Sequence, residues 1–513
     1  MVSVARMAGV LPLVLGLAGC GGAPARPDLI LVTVDTLRPD RLAAVPTPNL
    51  DRLAARGTSF SQATTPFPRT TPALASLFTG LWPQHHGSRE VFEPFHSGDT
   101  LAEVLKGSGY ATAGVTANSA AGSRQNLDRG FDRFVELPDR EDVHGDRVTA
   151  AALRLAGNAP ASQPLFLWVH YMDPHYPYAP PTDFPQPPAL RCRRLMDDAR
   201  AGRVAKGQML SNRDGVAEAA LAECRQLYDA EIAYTDAQIG TLLEGLSRLG
   251  RLDGALVVFT SDHGENFGEG GLYYEHGPNL HDAGLRVPLV VAGPGIAHRR
   301  DDAVIRLEDL MPTLLRLVGV PPERVPRTDG LDASGRLRGT SVGGDDLVAL
   351  AESGSALHVE SRHEIFSGRA DGRYCFNGPR FALCRRPGEA PGLYDTRADP
   401  ARRVDVSDRY PERKRLLLEA SRAWRPEEPR RRAARTAAFK LVEHPRLWGG
   451  HRRALYDLAA DPDEERDVSA AHPEVTARLA AALERWTATL PPLRAPERSD
   501  RQLEALRALG YID

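Results

Sequence analysis

The sequence predicts an α/β protein: a doubly wound, mostly parallel sheet, followed by a smaller C-terminal α+β subdomain containing an antiparallel sheet. Three observations predict it. Five short runs, Leu29–Val34, Ala111–Thr116, Leu165–Tyr171, Ala255–Thr260 and Val287–Ala292, carry apolar residues at successive rather than alternate positions, as strands buried on both faces do. Helical patterns lie between them, over Asn49–Arg56, Pro72–Phe78, Leu101–Lys106, Val148–Ala156 and Ala230–Arg248. Such alternation of strand and helix builds a doubly wound sheet. From about Leu357 the chain turns Arg-rich and contains an internal repeat.

Residues 1–19 read as a lipoprotein signal peptide. Arg6 precedes the apolar run Met7–Leu17, and Leu17-Ala18-Gly19-Cys20 closes it. The small residue before Cys20 suits signal-peptidase cleavage, after which Cys20 carries the lipid; a plain signal peptide holding a Cys is the alternative. Residues 20–26 form a short tether. The expectation is an exported, membrane-anchored lipoprotein of the bacterial periplasm or cell surface, touching the membrane through its lipid anchor only, because no later stretch is long and apolar enough to span. Residues 27–350 make the catalytic domain, 357–490 the C-terminal subdomain and 491–513 a tail. Lys and Arg total 64 against 67 Asp and Glu, so no basic excess recruits nucleic acid.

The repeat lies within 357–490. Leu393-Tyr394-Asp395, Asp399-Pro400, Asp405-Val406-Ser407 and Pro411-Glu412 return at one constant offset as Leu455-Tyr456-Asp457, Asp461-Pro462, Asp467-Val468-Ser469 and Pro473-Glu474. Two strand–turn–helix units are expected, each giving strands to a small antiparallel sheet; two copies are too few for a solenoid. Four cysteines follow Cys20. Cys375 and Cys384 flank the turn-forming Asn377-Gly378 and are paired on that ground, which leaves Cys192 with Cys224; an even number in an exported chain favours disulfides, four buried thiols being the alternative.

In open α/β sheets, ligands collect at the carboxyl ends of the strands. Asp35 follows the first run, Asn118 the second, Asp173 and His175 the third, and Asp262, His263 and Gly264 the fourth. Several strands offering Asp or His at one edge point to a metal site. Asp262 and His263 on a tight turn that Gly264 permits are the strongest pair. Thr70-Thr71-Pro72 opens a helix that Gly80 closes, with Thr71 as a fair N-cap and Pro72 at the first helical position. A hydroxyl just ahead of that N-terminus meets free N–H groups and the positive end of the helix dipole, where an anion is favoured. Bound to a metal, it can lose its proton and attack phosphorus or sulfur; capping alone is the alternative role.

These stretches resemble, in order, the motifs of the sulfatase family in the alkaline-phosphatase superfamily. Val34-Asp35-Thr36-Leu37-Arg38-Pro39-Asp40 resembles the first metal motif, and Thr70-Thr71-Pro72-Ala73-Leu74-Ala75-Ser76-Leu77-Phe78-Thr79-Gly80 the nucleophile motif. Pro174-His175-Tyr176-Pro177 resembles the motif of the His that assists the leaving group, and Thr260-Ser261-Asp262-His263-Gly264 and Leu285-Arg286-Val287-Pro288 complete the set. The chain departs from the pattern at informative places. Thr70 stands where Cys or Ser is converted to formylglycine, so the resemblance is to a branch using Thr directly. Thr36 replaces a second Asp, Leu74 an Arg, and Gly277 stands where a Lys is usual. Most sulfate-gripping cations are therefore expected to be gone.

The resemblance implies Thr70 as nucleophile; Asp35, Thr70, Asp262 and His263 as metal ligands; and His175 and His276 as proton donors or, with Asp173, ligands of a second ion. Asn118 would hold a non-bridging oxygen. His263 in place of an amide suits zinc or manganese better than calcium, which remains possible. The implied activity is metal-dependent hydrolysis of sulfuric or phosphoric esters of a small molecule, glycan or lipid, with Thr70 favouring phosphomonoester or phosphodiester cleavage. A phospho-group transferase acting on an envelope acceptor, or a non-catalytic lipid-anchored binding protein, are the alternatives. His170 reads as a satisfied core histidine, Asp229 and Asp236 as a solvated helix face, Arg286 as ordering the fold, and Arg425–Arg435 as a solvated helix or loop; His85 and His86 receive no role.

Overall fold

The computed structural model describes residues 26–138, 143–200, 218–269, 273–340, 347–353, 366–368, 374–377, 381–385, 390–399, 403–423, 430–445 and 451–489. The signal peptide, Cys20 and the 491–513 tail lie outside the described residues. In chain order the first strands are β1 (Leu29–Val34), β2 (Gly57–Thr64), β3 (Ala111–Thr116), β4 (Arg133–Glu136), β5 (Leu165–Tyr171), β6 (Leu256–Ser261), β7 (Asn266–Phe267), β8 (Tyr273–Glu275), β9 (Leu289–Ala292) and β10 (Arg299–Arg306). Eight of them form one sheet in the order β10-β2-β9-β6-β1-β5-β3-β4, while β7 and β8 pair separately. β9 runs antiparallel to both its neighbours and every other pairing in the large sheet is parallel. The sequence pattern passes over β2, β4 and β10, whose polar and half-exposed residues lack the apolar runs of β1, β5 and β6.

Side chains alternate across a strand, so Leu29, Leu31, Thr33 and Asp35 share one face of β1 and Ile30, Val32 and Val34 the other. The first face packs on Leu74, Leu77 and Phe78 of the helix Thr70–Thr79 and on Leu310 and Leu314 of Leu310–Leu317. The second packs on Val148 and Leu155 of Gly145–Gly157 and on Leu227, Ile239 and Leu246 of Glu218–Arg248. The 31-residue helix Glu218–Arg248 corrects one expectation. Asp236 is buried, not solvated, and accepts from the backbone N–H groups of Asn49 at 3.2 Å and Leu50 at 2.8 Å, at the first turn of the helix Pro48–Ala54. Asp229 holds Arg41, its Oδ1 accepting from Nε at 3.0 Å.

Beyond residue 347 the described strands form two four-stranded antiparallel sheets rather than one. Ala349–Glu352, Arg432–Arg435, Phe439–Pro445 and His451–Asp457 make the first; Phe366–Gly368, Tyr374–Asn377, Phe381–Arg385 and Gly392–Asp395 make the second. Each copy of the repeat supplies the last strand of its own sheet, and the two close with the same clasp. Leu393 N–H donates to Asp405 at 3.0 Å and Leu455 N–H to Asp467 at 3.1 Å; Val406 and Val468 donate back to Leu393 and Leu455, each at 2.8 Å. Disulfides join Cys375 to Cys384 across one hairpin and Cys192 to Cys224 between two helices.

In the described part of the Arg-rich stretch, Arg430 and Arg435 are buried and Arg431 and Arg432 half-buried, contrary to expectation. Arg430 and Arg435 are 5% and 3% exposed, because carboxylates of the large domain await them. Arg430 donates to Glu90 at 2.9 Å and Arg435 to Asp282 at 2.7 Å. Glu352 accepts from Arg89 Nε at 2.8 Å and from Arg432 Nε at 3.4 Å. Burial pushes the Glu352 carboxyl up, but Arg89, Arg430 and Arg432 together hold it below its ordinary range. Removing one partner of such a buried cluster strands the others. Glu352→Ala is therefore expected to cost about 3–5 kcal/mol of stability, read as a lower urea midpoint at unchanged slope.

Candidate active site

β1, β5 and β6 finish level: Val34 is in register with Tyr171 on one side and Ser261 on the other. The residues that follow leave at one edge of the sheet, which brings Asp35 and Asp262 together. Both are wholly buried. The turn after Asp35 is held open by Thr36 at φ 55°, a strained conformation for a β-branched residue. Two clamps maintain it: Thr36 N–H donates to Asp262 Oδ1 at 3.3 Å, and Tyr228 O–H donates to Thr36 O at 2.8 Å. Gly264 is required for a different reason than the turn. A Cβ there would sit 1.9 Å from Ala283 O, so the backbone of the next loop fixes the turn carrying Asp262 and His263.

Thr70 begins its helix rather than preceding it. Arg69, extended at φ −152°, is the N-cap, and all ten residues Thr70–Thr79 are buried. The helix ends at Gly80, φ 67°, a left-handed C-cap,. Thr70 Oγ1 lies 3.4 Å from Asp35 Oδ2 and 3.4 Å from His263 Nε2. His263 Nε2 is 3.4 Å from Asp262 Oδ2 and 3.7 Å from Asp35 Oδ1. Its Nδ1 meets Gly264 O at 3.0 Å; a carbonyl only accepts, so Nδ1 carries the proton and Nε2 presents a lone pair. Asn118 Nδ2 donates to Asp35 Oδ2.

The donor set fits a divalent cation. Asp35 Oδ1, Asp262 Oδ2 and His170 Nε2 are buried without a hydrogen-bond partner among the described residues, an arrangement that is costly unless a cation answers it. The two carboxylates shift in opposite directions. Burial raises Asp35, but the imidazoles of His170, His175 and His263 around it bring it down to about 2. Asp262 is pushed well above its ordinary value by burial and then by the Asp35 charge beside it. Burial lowers His263, which favours its neutral form.

His175 and His276 meet at the same edge, with Nε2 atoms 3.3 Å apart. His175 Nδ1 donates to Tyr176 O at 2.5 Å and His276 Nδ1 to Pro68 O at 3.3 Å. Two lone pairs therefore face each other, a geometry that calls for a shared cation or proton. Burial, then His263 and His175, depress His276 well below the usual imidazole range.

The Sulfatase family model matches residues 27–320, more than half of the chain. The chain belongs to the sulfatase family. Among characterised relatives it is 26% identical to the choline-sulfatase of Rhizobium meliloti, across 75% of this chain and 83% of that one. It is 25% identical to the arylsulfatase of Clostridium perfringens, across 56% and 74%. The phosphonate monoester hydrolase of Agrobacterium radiobacter shares the fold, with a TM-score of 0.62 at 21% identity, over 93% of this chain and 99% of that one. As a sulfatase-family member it is an ester hydrolase of a metal-dependent family.

Three further residues of this sulfatase-family chain lie around the site. Asp173 lies against His144, Oδ1 to Nδ1 3.4 Å, with Glu231 as its like-charged neighbour. His170 is not a satisfied core residue. Its Nδ1 sits 2.8 Å from Thr33 Oγ1, but its Nε2 has no hydrogen-bond partner among the described residues and points at the carboxylates, 3.7 Å from Asp35 Oδ2. Arg69 falls outside the motifs that single out the site in the sequence, yet it restores a cation there. Its guanidinium lies over Gly277, where a Cβ would come within 2.3 Å of Nε, and its charge reaches both His263 and His276. The signal was in the sequence: Arg immediately precedes the nucleophile candidate, and Gly occupies the usual Lys position. Arg286, as expected, orders the fold, donating to Ser61 O at 2.6 Å.

Proposed function

We propose that this chain hydrolyses phosphoric or sulfuric esters outside the cytoplasm, with Thr70 as nucleophile and a preference for phosphomonoesters or phosphodiesters. The observation that carries this is the Thr70 hydroxyl, 3.4 Å from both Asp35 and His263 at a helix N-terminus. A threonine side chain does not become formylglycine, so its own oxygen must attack. A divalent cation held by Asp35, Thr70, Asp262 and His263 supplies, when bound, the charge that acidifies that hydroxyl and offsets the ester's negative charge. The nitrogen of His263 favours zinc or manganese.

Thr70 Oγ1, its proton given up to solvent, bonds to phosphorus as the ester oxygen leaves. The leaving oxygen takes a proton from the His175–His276 pair. Water then attacks phospho-Thr70, the pair accepts the water's proton, and the Thr70 oxygen leaves. Arg69, with Asn118 beside Asp35, would steady the non-bridging oxygens. Sulfate esters follow the same path, and the choline-sulfatase and arylsulfatase relatives keep them in the assay. The phosphonate monoester hydrolase of the same fold adds aryl phosphonates. Natural substrates of this class are phosphorylated or sulfated small molecules, glycans or lipids, met through an anchor at Cys20.

Parallel assays of aryl phosphate, bis-aryl phosphate, aryl phosphonate and aryl sulfate test the reading; turnover of aryl sulfate alone would defeat the phosphate preference. His276→Gln is expected to lower kcat about 10²–10⁴-fold with alkyl leaving groups. The loss should shrink with nitrophenol, which needs no proton to depart; equal losses on both would remove the proton-donor role.

A further inference from the structure

We propose that His170 is a fifth protein ligand of the active-site metal, an inference that rests on the metal site described above. His170 stands near the end of β5, wholly buried in the large sheet. Its strand register opposes it to Thr33 of β1, two residues before Asp35, and side chains two apart share a face. The imidazole therefore reaches over Thr33 toward the edge where Asp35 leaves. One ligand atom from each of Asp35, His170 and Asp262 lies within 4.8 Å of the other two.

The hydrogen bonding around the ring prepares Nε2 as a donor to a cation. Nδ1 lies 2.8 Å from Thr33 Oγ1, and Trp168 Nε1–H donates to the same oxygen at 2.9 Å. A hydroxyl has two lone pairs; Trp168 takes one, and the other can accept an N–H from His170 Nδ1. Nε2 then carries a lone pair. In the other tautomer Nε2 would carry a hydrogen, and its nearest carboxylate oxygen, Asp35 Oδ2 at 3.7 Å, is beyond hydrogen-bond reach. A buried N–H would be left unmet, whereas a lone pair aimed at two carboxylates is completed by a positive ion.

His263 offers the comparison. It too has its Nδ1 engaged, by Gly264 O at 3.0 Å, and its Nε2 is 3.7 Å from Asp35 Oδ1. Both imidazoles thus stand at the same distance from the two oxygens of one carboxylate. Ligands about 2.0–2.2 Å from one five-coordinate ion are about 3–4 Å apart, a range that the two 3.7 Å separations already meet. Thr33 and Trp168 are then the outer partners that fix the tautomer and orientation of a ligating His.

The experiment is pulsed EPR of the full-length protein loaded with Mn(II) alone, with Mn(II) affinity measured by chelator competition. Two imidazole nitrogens are expected on the ion in the parent and one in His170→Gln. Thr33→Val, which removes only the outer partner, should keep both nitrogens while affinity falls about 10–100-fold. One nitrogen in the parent, or a count unchanged in His170→Gln, overturns the role of His170 while leaving the metal site standing. If His170→Gln does not fold, the parent's count decides. A parent that binds no Mn(II) at this site would overturn the metal reading and this inference with it.

Discussion

Thr70→Ala is expected to lower kcat by about 10⁴–10⁶-fold on whichever ester the protein turns over, the scale of a lost nucleophile. The fold should survive. The substitution removes a hydroxyl and a methyl from the first position of a helix whose burial rests on Leu74, Leu77 and Phe78. The hydroxyl lies 3.4 Å from each of Asp35 and His263, too far for either to hold the helix in place. Thr70→Ser keeps the oxygen and should retain measurable turnover. Rapid quenching followed by peptide mass analysis should find a covalent adduct on Thr70 in the parent and none in the Ala variant. Parent-level turnover by Thr70→Ala would end the nucleophile assignment.

Stripping the metal is expected to abolish activity to the same degree, with recovery on adding zinc or manganese. Asp35→Asn should prevent recovery, because Asp35 faces Thr70, Asn118, His170 and His263 at once. The apo site also has a pH signature. Asp262 is raised well above the carboxylate range by burial and by Asp35, so it holds a proton that a cation must expel. One proton released per ion makes affinity rise about tenfold per pH unit until the raised value is passed. The sign for stability is opposite in the apo protein. Within that window the native state binds more protons than the unfolded chain, so stability falls as pH rises. The low value of Asp35, about 2, acts in a window below this one and does not offset it. The gap in unfolding temperature between loaded and apo protein should therefore widen with pH; a gap independent of pH would contradict a protonated Asp262.

Asp35, Thr70, Asp262 and His263 were legible because each sits where a parallel strand or a helix stops, and stops carry punctuation such as Gly264 and Pro72. His170 was hidden by its own strand. A histidine among Phe166, Trp168 and Val169 looks like packing until the register sets it opposite Thr33, and register is a property of the pair of strands. Arg69 was hidden for a related reason. Its value depends on Gly277, some two hundred residues away, leaving room for it. The Arg-rich segment misled because charge alone says water, while the carboxylates that bury it, Glu90, Glu352 and Asp282, belong to distant parts of the chain. Strands of the large sheet with mixed polarity, such as β10, were invisible to a pattern built on apolar runs.

The flush ending of β1, β5 and β6 works as a ruler. Adding or deleting one residue inside any of the three would turn its terminal donor to the back of the sheet, because successive side chains point opposite ways. Strand lengths would thus be locked by the proposed metal site, while the intervening loops are free to lengthen, shorten and diversify. New substrates can be acquired there without recalibrating the chemistry.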